Sequence, residues 1–409
     1  MTQLPKDGLG IYVHVPYCIR KCRYCDFVSF ERPPADEYFD ELAEDVKRAG
    51  NALGYGTEYY VDTLFFGGGT PSLANARQLG KVLDALRGSF RIRDTEMTIE
   101  VNPETVTPEK AAELKALGFN RISMGVQSLN DEVLKAMGRV HSAEKARQAY
   151  RILRDAGFGN INLDLIFGAP GQDLETWQET LSEVLEMRPE HVSFYSLQLE
   201  EGTPLYKDYT ADRVDLPSWE ENRSMYHYAA DALKSTGYHH YEVSNAALPG
   251  FECRHNLKYW NMQPYLGFGV SAHSFVNGCR GESDYSVGGC RGTADNLNDA
   301  PVSGPQSAEG RGIFGLEPES KADLKGDFIF TKLRLTDGFA LSDYSGMFGS
   351  DFRQEFGPEL KTLLDEGLLE LSGGTLRFTA KGLDNTNPVM ERLIGAVAER
   401  PGSAETRRL

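Results

Sequence analysis

Between residues 11 and 235 this chain of 409 residues alternates short apolar runs with helical periods, six times over. The runs are residues 11–15, 62–66, 97–101, 121–126, 160–167 and 191–197. Each is followed by a stretch whose apolar residues recur every three or four positions. In 36–48 these are Phe39, Leu42 and Val46, after an Asp36 that reads as the N-cap. In 72–86 they are Leu79, Val82, Leu83 and Leu86. Thr107 and Pro108 open a third helix, which Gly118 stops. Stretches 142–156, 174–187 and 217–235 complete the set, and 239–243 adds a last short strand. Such alternation predicts a parallel sheet with helices outside it and right-handed crossovers. It does not separate an open sheet from a barrel. In either, polar residues at the C-terminal strand ends are where ligands meet the fold.

Composition narrows the partners. The formal net charge is −17, which argues against a nucleic-acid footprint and leaves only a local basic patch open. No secretory leader stands at the start, and no apolar run nears the roughly 20 residues that a membrane helix needs. The expected location is therefore a reducing cytoplasm, where closely spaced cysteines signal metal or catalysis.

Such a group follows the first strand. Pro16 ends the run, and Cys18, Cys22 and Cys25 follow in a Cys-x3-Cys-x2-Cys spacing. A disulfide framework would leave one of three thiols unpaired. Structural zinc needs a fourth ligand; His14 lies back on the strand and Cys253 is remote. An iron–sulfur cluster on three thiolates leaves one iron open to a ligand. Arg20, Lys21 and Arg23 beside the cysteines favour thiolates and a negative cluster. From the residues, cluster, zinc and no metal remain three readings, with the cluster ahead.

This spacing, after a strand and with Tyr24 before the last cysteine, resembles the signature of the radical S-adenosylmethionine (SAM) superfamily. The resemblance implies a partial (β/α)6 TIM-type barrel over residues 1–245. It implies a [4Fe–4S] cluster on Cys18, Cys22 and Cys25, whose open iron chelates SAM so that one electron can cleave it. It also assigns strand-end residues to SAM. In Gly67-Gly68-Gly69-Thr70-Pro71, glycines let backbone N–H groups approach a ligand, and Gly68, Gly69 and Thr70 would hold the methionine amino group. Glu100 would meet the methionine or ribose portion, Gln127 the nucleoside and Arg139 the SAM carboxylate. Asp164, an acid in an apolar strand, would be paired or ligand-bound. Tyr12 and Gln198 complete the implied set.

Residues 246–276 are dense in His, Tyr and Trp and carry few helix or strand signals. They read as a loop presenting aromatics to a flat ligand or partner; satisfied structural histidines are the competing reading. His255-Asn-x-x-Tyr259-Trp260 resembles a motif of the haem chaperone (HemW) branch of the superfamily, which resembles coproporphyrinogen III oxidase. There the motif is associated with haem, so the resemblance points to haem near His255, Tyr259 and Trp260. The oxidase branch has a fourth cysteine two positions past the third and a longer segment before the cluster. Here that position is Phe27. The resemblance thus implies a chaperone more than a decarboxylating enzyme. Its expected partners are haem, respiratory haem proteins that receive it and an electron donor for the cluster. Peripheral membrane attachment follows from that role, and monomer and homodimer stay open.

Residues 277–322 read as a linker in which Cys279 and Cys290 are free thiols. Residues 323–396 suggest a small winged-helix-like α+β domain, as the family carries beside the barrel, and 397–409 a disordered tail. In that domain 328–335 and 357–367 read as helices and 376–382 as a strand and turn. Acidic residues such as Asp351, Glu355, Glu359 and Asp365 argue against DNA there.

Overall fold

The computed structural model describes residues 8–52, 60–283, 286–287, 302–303 and 315–398. Six parallel strands form its centre: β1 (Leu9–Val15), β2 (Tyr60–Gly68), β3 (Arg91–Val101), β4 (Arg121–Gln127), β5 (Ile161–Phe167) and β6 (His191–Ser196). They stand side by side in chain order. Helices α1 (Asp36–Ala52), α2 (Ala76–Ser89), α3 (Pro108–Leu117), α4 (Ala143–Asp155), α5 (Leu174–Met187) and α6 (Trp219–Ser235) connect them. This is a partial (β/α)6 barrel. Its strands are covered on both faces, which is why β1 is buried throughout except for half-buried Tyr12.

Local chemistry accounts for the helix ends. Thr107 caps α3, Pro108 occupies its first position, and Gly118 closes it at φ 100°. The expected helix over 72–86 is split: Pro71–Leu73 is a 3-10 turn, and Asn75 and Gln78 form a capping box that starts α2. Asp36 lies inside the first turn of α1, and its carboxylate accepts from Gln78 and Arg77 of α2. Two short helices, Asp131–Ala136 and Pro204–Thr210, were not expected; they are too short to show a period.

The sheet continues past the barrel strands. β7 (His239–Glu242) and β8 (Asn245–Ala247) form a hairpin, with β8 antiparallel to β6. On the other edge β9 (Tyr265–Phe268) runs parallel to β1, and β10 (His273–Val276) and β11 (Cys279–Glu282) follow it antiparallel. Two corrections follow. The aromatic stretch 246–276 is not a loop: it holds the helix Arg254–Trp260 and strands β9 and β10. The start of the expected linker, including free Cys279, is strand β11; Cys290 lies outside the described residues.

The C-terminal part has its own core, including Phe328, Tyr344, Phe352, Phe356, Leu363 and Leu376. Helices Lys321–Lys332, Leu341–Phe348, Phe352–Asp365 and Thr386–Ala398 surround a three-stranded sheet. Asp351 caps the third, which starts earlier than the expected 357 and runs through Pro358. Residues 397 and 398 end the last helix; the remainder of the expected tail lies outside the described residues. This unit docks on the edge of the barrel. Leu335 bridges Glu242, and Asp384 accepts from Arg223 (2.6 Å) and faces His227 (2.8 Å) on α6.

Trp177 on α5 is fully buried, and its indole N–H donates to the Met225 carbonyl of α6 at 2.9 Å. Trp177→Ala is expected to remove about 3–5 kcal/mol of unfolding free energy in urea titration. A loss below about 1 kcal/mol would contradict this account of the α5–α6 contact.

Candidate cluster and nucleoside site

The cluster loop leaves β1 at Pro16 and is sewn down at both ends. Residues Tyr17–Cys18 pair with Phe30–Glu31, and the Phe30 N–H donates to the Pro16 carbonyl at 2.7 Å. Arg23 clasps it to two neighbouring loops. Its N–H donates to the Met137 carbonyl (3.1 Å), its guanidinium donates to the Ala136 carbonyl (2.9 Å) and pairs with Asp208, and the Leu205 N–H donates to its own carbonyl (2.8 Å). The loops after β1, β4 and β6 are thereby one surface.

The three half-buried cysteines lie on this loop. Burial pushes the Cys18 thiol up and Cys25 up to about 11, and each thiolate would disfavour its neighbours. Among the described residues, no three His, Cys, Asp or Glu side chains converge on a single ion. Three thiolates on one loop suit a cluster, in which each thiolate takes its own iron. The electrostatics agree, because cationic Arg139 donates to Cys22 Sγ at 3.2 Å.

Arg139 is one end of a continuous bracket. Its guanidinium also donates to Asn102 Oδ1 (2.7 Å) and to the Gly125 carbonyl (2.8 Å). The Asn102 amide donates to Thr70 Oγ1 (2.9 Å), and the Thr70 hydroxyl lies 3.8 Å from Cys18 Sγ. Cys18, Thr70, Asn102, Arg139 and Cys22 therefore form one chain of polar contacts. Arg139 Nε is buried and finds no geometric hydrogen-bond partner among the described residues. Sequence reasoning passed over Asn102, which directly follows β3, two positions after Glu100. Arg139, which on sequence alone reads as a surface residue, is half-buried.

The backbone amides of the glycine loop are not free to meet a ligand, where the sequence reading has them approach one. Its amides are already used: Gly68 N–H donates to Glu100 (3.0 Å), Gly69 N–H to the Val15 carbonyl (3.0 Å) and Thr70 N–H to the Tyr17 carbonyl (2.7 Å). Glycine is required by space. Gly68 has φ 109°, and a Cβ there would enter the His14 ring. One at Gly69 would sit 2.7 Å from the Tyr17 carbonyl. A ligand ammonium would therefore meet acceptors here, not free amides.

Beneath the loop lie two carboxylates. Asp164 accepts from Ser123 (3.1 Å) and Asn162 (2.8 Å), and burial raises its pKa. Glu100 is pushed up to about 8 by burial first and then by the charge of Asp164. Gln127 ends β4 at φ 66°, a left-handed conformation at a bulge in the β4–β5 register. Tyr12 reaches the same interior: its hydroxyl donates to His14 Nδ1 at 3.0 Å, and its ring stacks on Phe65. Gln198 is exposed and bonds only to the Ser196 carbonyl at 3.4 Å, so the structure does not bring it into this group.

The haem motif is elsewhere. Helix Arg254–Trp260 lies across the N-terminal ends of the strands, at the opposite end of the barrel from the cysteines. Lys258 Nζ pairs with Asp62 (2.8 Å), and Arg254 donates to the Asp94 carbonyl (2.8 Å). His255 is 1% exposed. One ring nitrogen bonds Thr63 Oγ1 and the other the Tyr259 hydroxyl, both at 2.8 Å. Burial holds its pKa down to about 3. The half-buried Trp260 lies under the Arg334 guanidinium. With both His255 nitrogens engaged, these residues do not present an iron ligand, so the motif does not fit haem in this conformation.

Glu100 gives a pH test. Its folded pKa, about 8, lies above the ordinary 4.5. The folded state thus holds a proton that the unfolded state loses, and stability falls as pH rises from 4.5 to 8, by at most about 1.4 kcal/mol per unit. Glu100→Gln should stabilise the cluster-free protein more at pH 8 than at pH 5 in thermal melts. A difference that does not change with pH would contradict the buried, proton-holding carboxyl.

Known proteins agree with this architecture. The radical SAM superfamily matches residues 12–184, and the HemN C-terminal domain matches 320–384. The Heme chaperone HemW of Bacillus subtilis is 32% identical over 388 residues, covering 94% of this chain and 98% of the relative. That of Escherichia coli is 36% identical over 280 residues, covering 68% and 72%. Among solved structures, the coproporphyrinogen III oxidase HemN from Escherichia coli shares the fold, with a TM-score of 0.76 at 23% identity over 97% of this chain and 92% of that one. The chain belongs to the HemW family of the radical SAM superfamily.

Proposed function

We propose that this chain is a haem chaperone on a radical SAM scaffold. The family's named relatives supply the haem role. The observation that carries the scaffold's chemistry is the polar bracket from Cys18 to Cys22 through Thr70, Asn102 and Arg139. Cys18, Cys22 and Cys25 would hold a [4Fe–4S] cluster, which when bound supplies an open iron and one-electron chemistry. Arg139 favours the negative charge there and, as a cation, suits a carboxylate. Thr70 and the carbonyls of the glycine loop suit an ammonium. Glu100, Asp164 and Gln127 line the interior for the nucleoside part of SAM, with Tyr12 below them.

Haem is placed by this reading at the open end of the barrel. Phe27 is 64% exposed beside the cysteines. Ile19, Val140, Tyr209 and Trp219 are also exposed, on the loops that Arg23 clasps and at the start of α6. An apolar rim of this kind suits a flat macrocycle. From there haem would pass to respiratory haem proteins, with an electron donor serving the cluster. The expected setting is the cytoplasm with peripheral attachment to the membrane; among the described residues no helix is long and apolar enough to cross one.

The test is anaerobic reconstitution followed by two assays. Tight haem binding without decarboxylation of coproporphyrinogen III is the expected result, and robust protoporphyrinogen formation would replace the chaperone with the oxidase. Phe27→Asp should weaken haem binding at least about tenfold, since it removes an exposed aromatic ring that bound haem would cover, and leave iron and sulfide per chain unchanged. Unaltered haem affinity would move the seat away from this rim.

A further inference from the structure

The helix that carries the haem-associated motif is tied to the SAM side of the barrel by two routes. The first is a stack of rings. His255 lies 5.3 Å from Phe65, Phe65 stacks on Tyr12 at 6.1 Å, and the Tyr12 hydroxyl donates to His14. The His14 ring fills the space over Gly68, and its other nitrogen donates to the Val28 carbonyl of the cluster loop at 2.9 Å. One continuous column thus runs from the floor to the glycine loop and the cluster loop.

The second route is polar. At the head of the helix the Cys253 N–H donates to the Tyr241 hydroxyl (3.3 Å), which donates to His191 Nε2 (2.8 Å). His191 Nδ1 donates to Asn162 Oδ1 (2.6 Å), and the Asn162 amide donates to Asp164 (2.8 Å). The two routes end at Gly68 and at Asp164, on opposite halves of the proposed SAM seat.

The motif's spacing explains the arrangement. His255 and Tyr259 are four apart, so they share one helix face and bond each other. Glu96 of β3 accepts the His255 N–H at 3.1 Å and the Arg254 N–H at 3.2 Å, which fixes the helix against the strands. Buried side chains with every nitrogen satisfied hold position; they do not exchange ligands.

We propose that His255 and Tyr259 are positioning residues: they set the floor of the barrel and through it the placement of Gly68 and the cluster loop, and neither ligates haem. The inference rests on the SAM seat proposed above. Its test reads the cluster-free chain as well, so the two can fail separately.

The variants are Tyr259→Phe, which removes one hydroxyl and keeps the ring, and His255→Gln, which shortens the stack and keeps a polar group. In the full-length cluster-free protein, amide hydrogen exchange over residues 66–70 should accelerate about three- to thirtyfold. The C-terminal helices should exchange as in the wild type, which separates this from global unfolding. After reconstitution, SAM affinity should fall by a similar factor, and haem affinity, read from its Soret band, should fall by no larger a factor than exchange over 66–70 rises. Unchanged exchange over 66–70 in both variants would overturn the coupling. A loss of haem affinity above about tenfold with unchanged exchange would make His255 a haem ligand. If the wild type itself does not bind SAM, the proposed seat fails while the exchange result still decides the coupling.

Discussion

The Arg139 guanidinium is the contact on which the rest of the site depends. It joins Cys22 of the first loop, Asn102 after the third strand and the Gly125 carbonyl of the fourth. A planar cation with five fixed donors can do this; a lysine could not span three acceptors in one plane. Through Asn102 it reaches Thr70, and so the second strand's loop as well. Four strand ends are thereby held in register before any ligand arrives, and preorganisation of this sort lowers the ordering that binding would otherwise require.

The interior below carries ionisable groups of both signs along its length. Arg121 is fully buried, with Glu96 on the floor side and Asp164 on the ligand side acting on it. Glu100 and Asp164 oppose each other, which contributes to the raised Glu100 pKa. An interior so polar is costly unless satisfied. The floor helix satisfies part of it by giving two amides to Glu96 and closing the strand ends to solvent. The aromatic motif therefore belongs to the barrel's interior as much as to its surface.

The C-terminal unit closes the edge that the barrel leaves open. Its chain bridges β7 at Glu242 and Leu335, and the Val243 N–H donates to the Arg334 carbonyl at 3.0 Å. Arg334 lies over Trp260, so the same segment also covers the floor helix. Each core is separate, yet the barrel's last strands are shared between them.

By itself the sequence determined the periodic parts. The βα alternation, the Thr107–Gly118 helix signals and the bounds of α5 were legible because apolar period and capping chemistry are local. The three clustered cysteines stood out in the sequence because their spacing is local too. Tertiary structure decided what lies far apart in sequence. Asn102 joins Thr70 to Arg139 across 32 and 37 positions, and His255 bonds Thr63 across 192. The seven-residue floor helix carries too few apolar residues to show a period, and β9 becomes a strand by pairing with β1. A local signal needs only neighbours along the chain. These contacts, and the burial that comes with them, exist only once the barrel has brought its strand ends together.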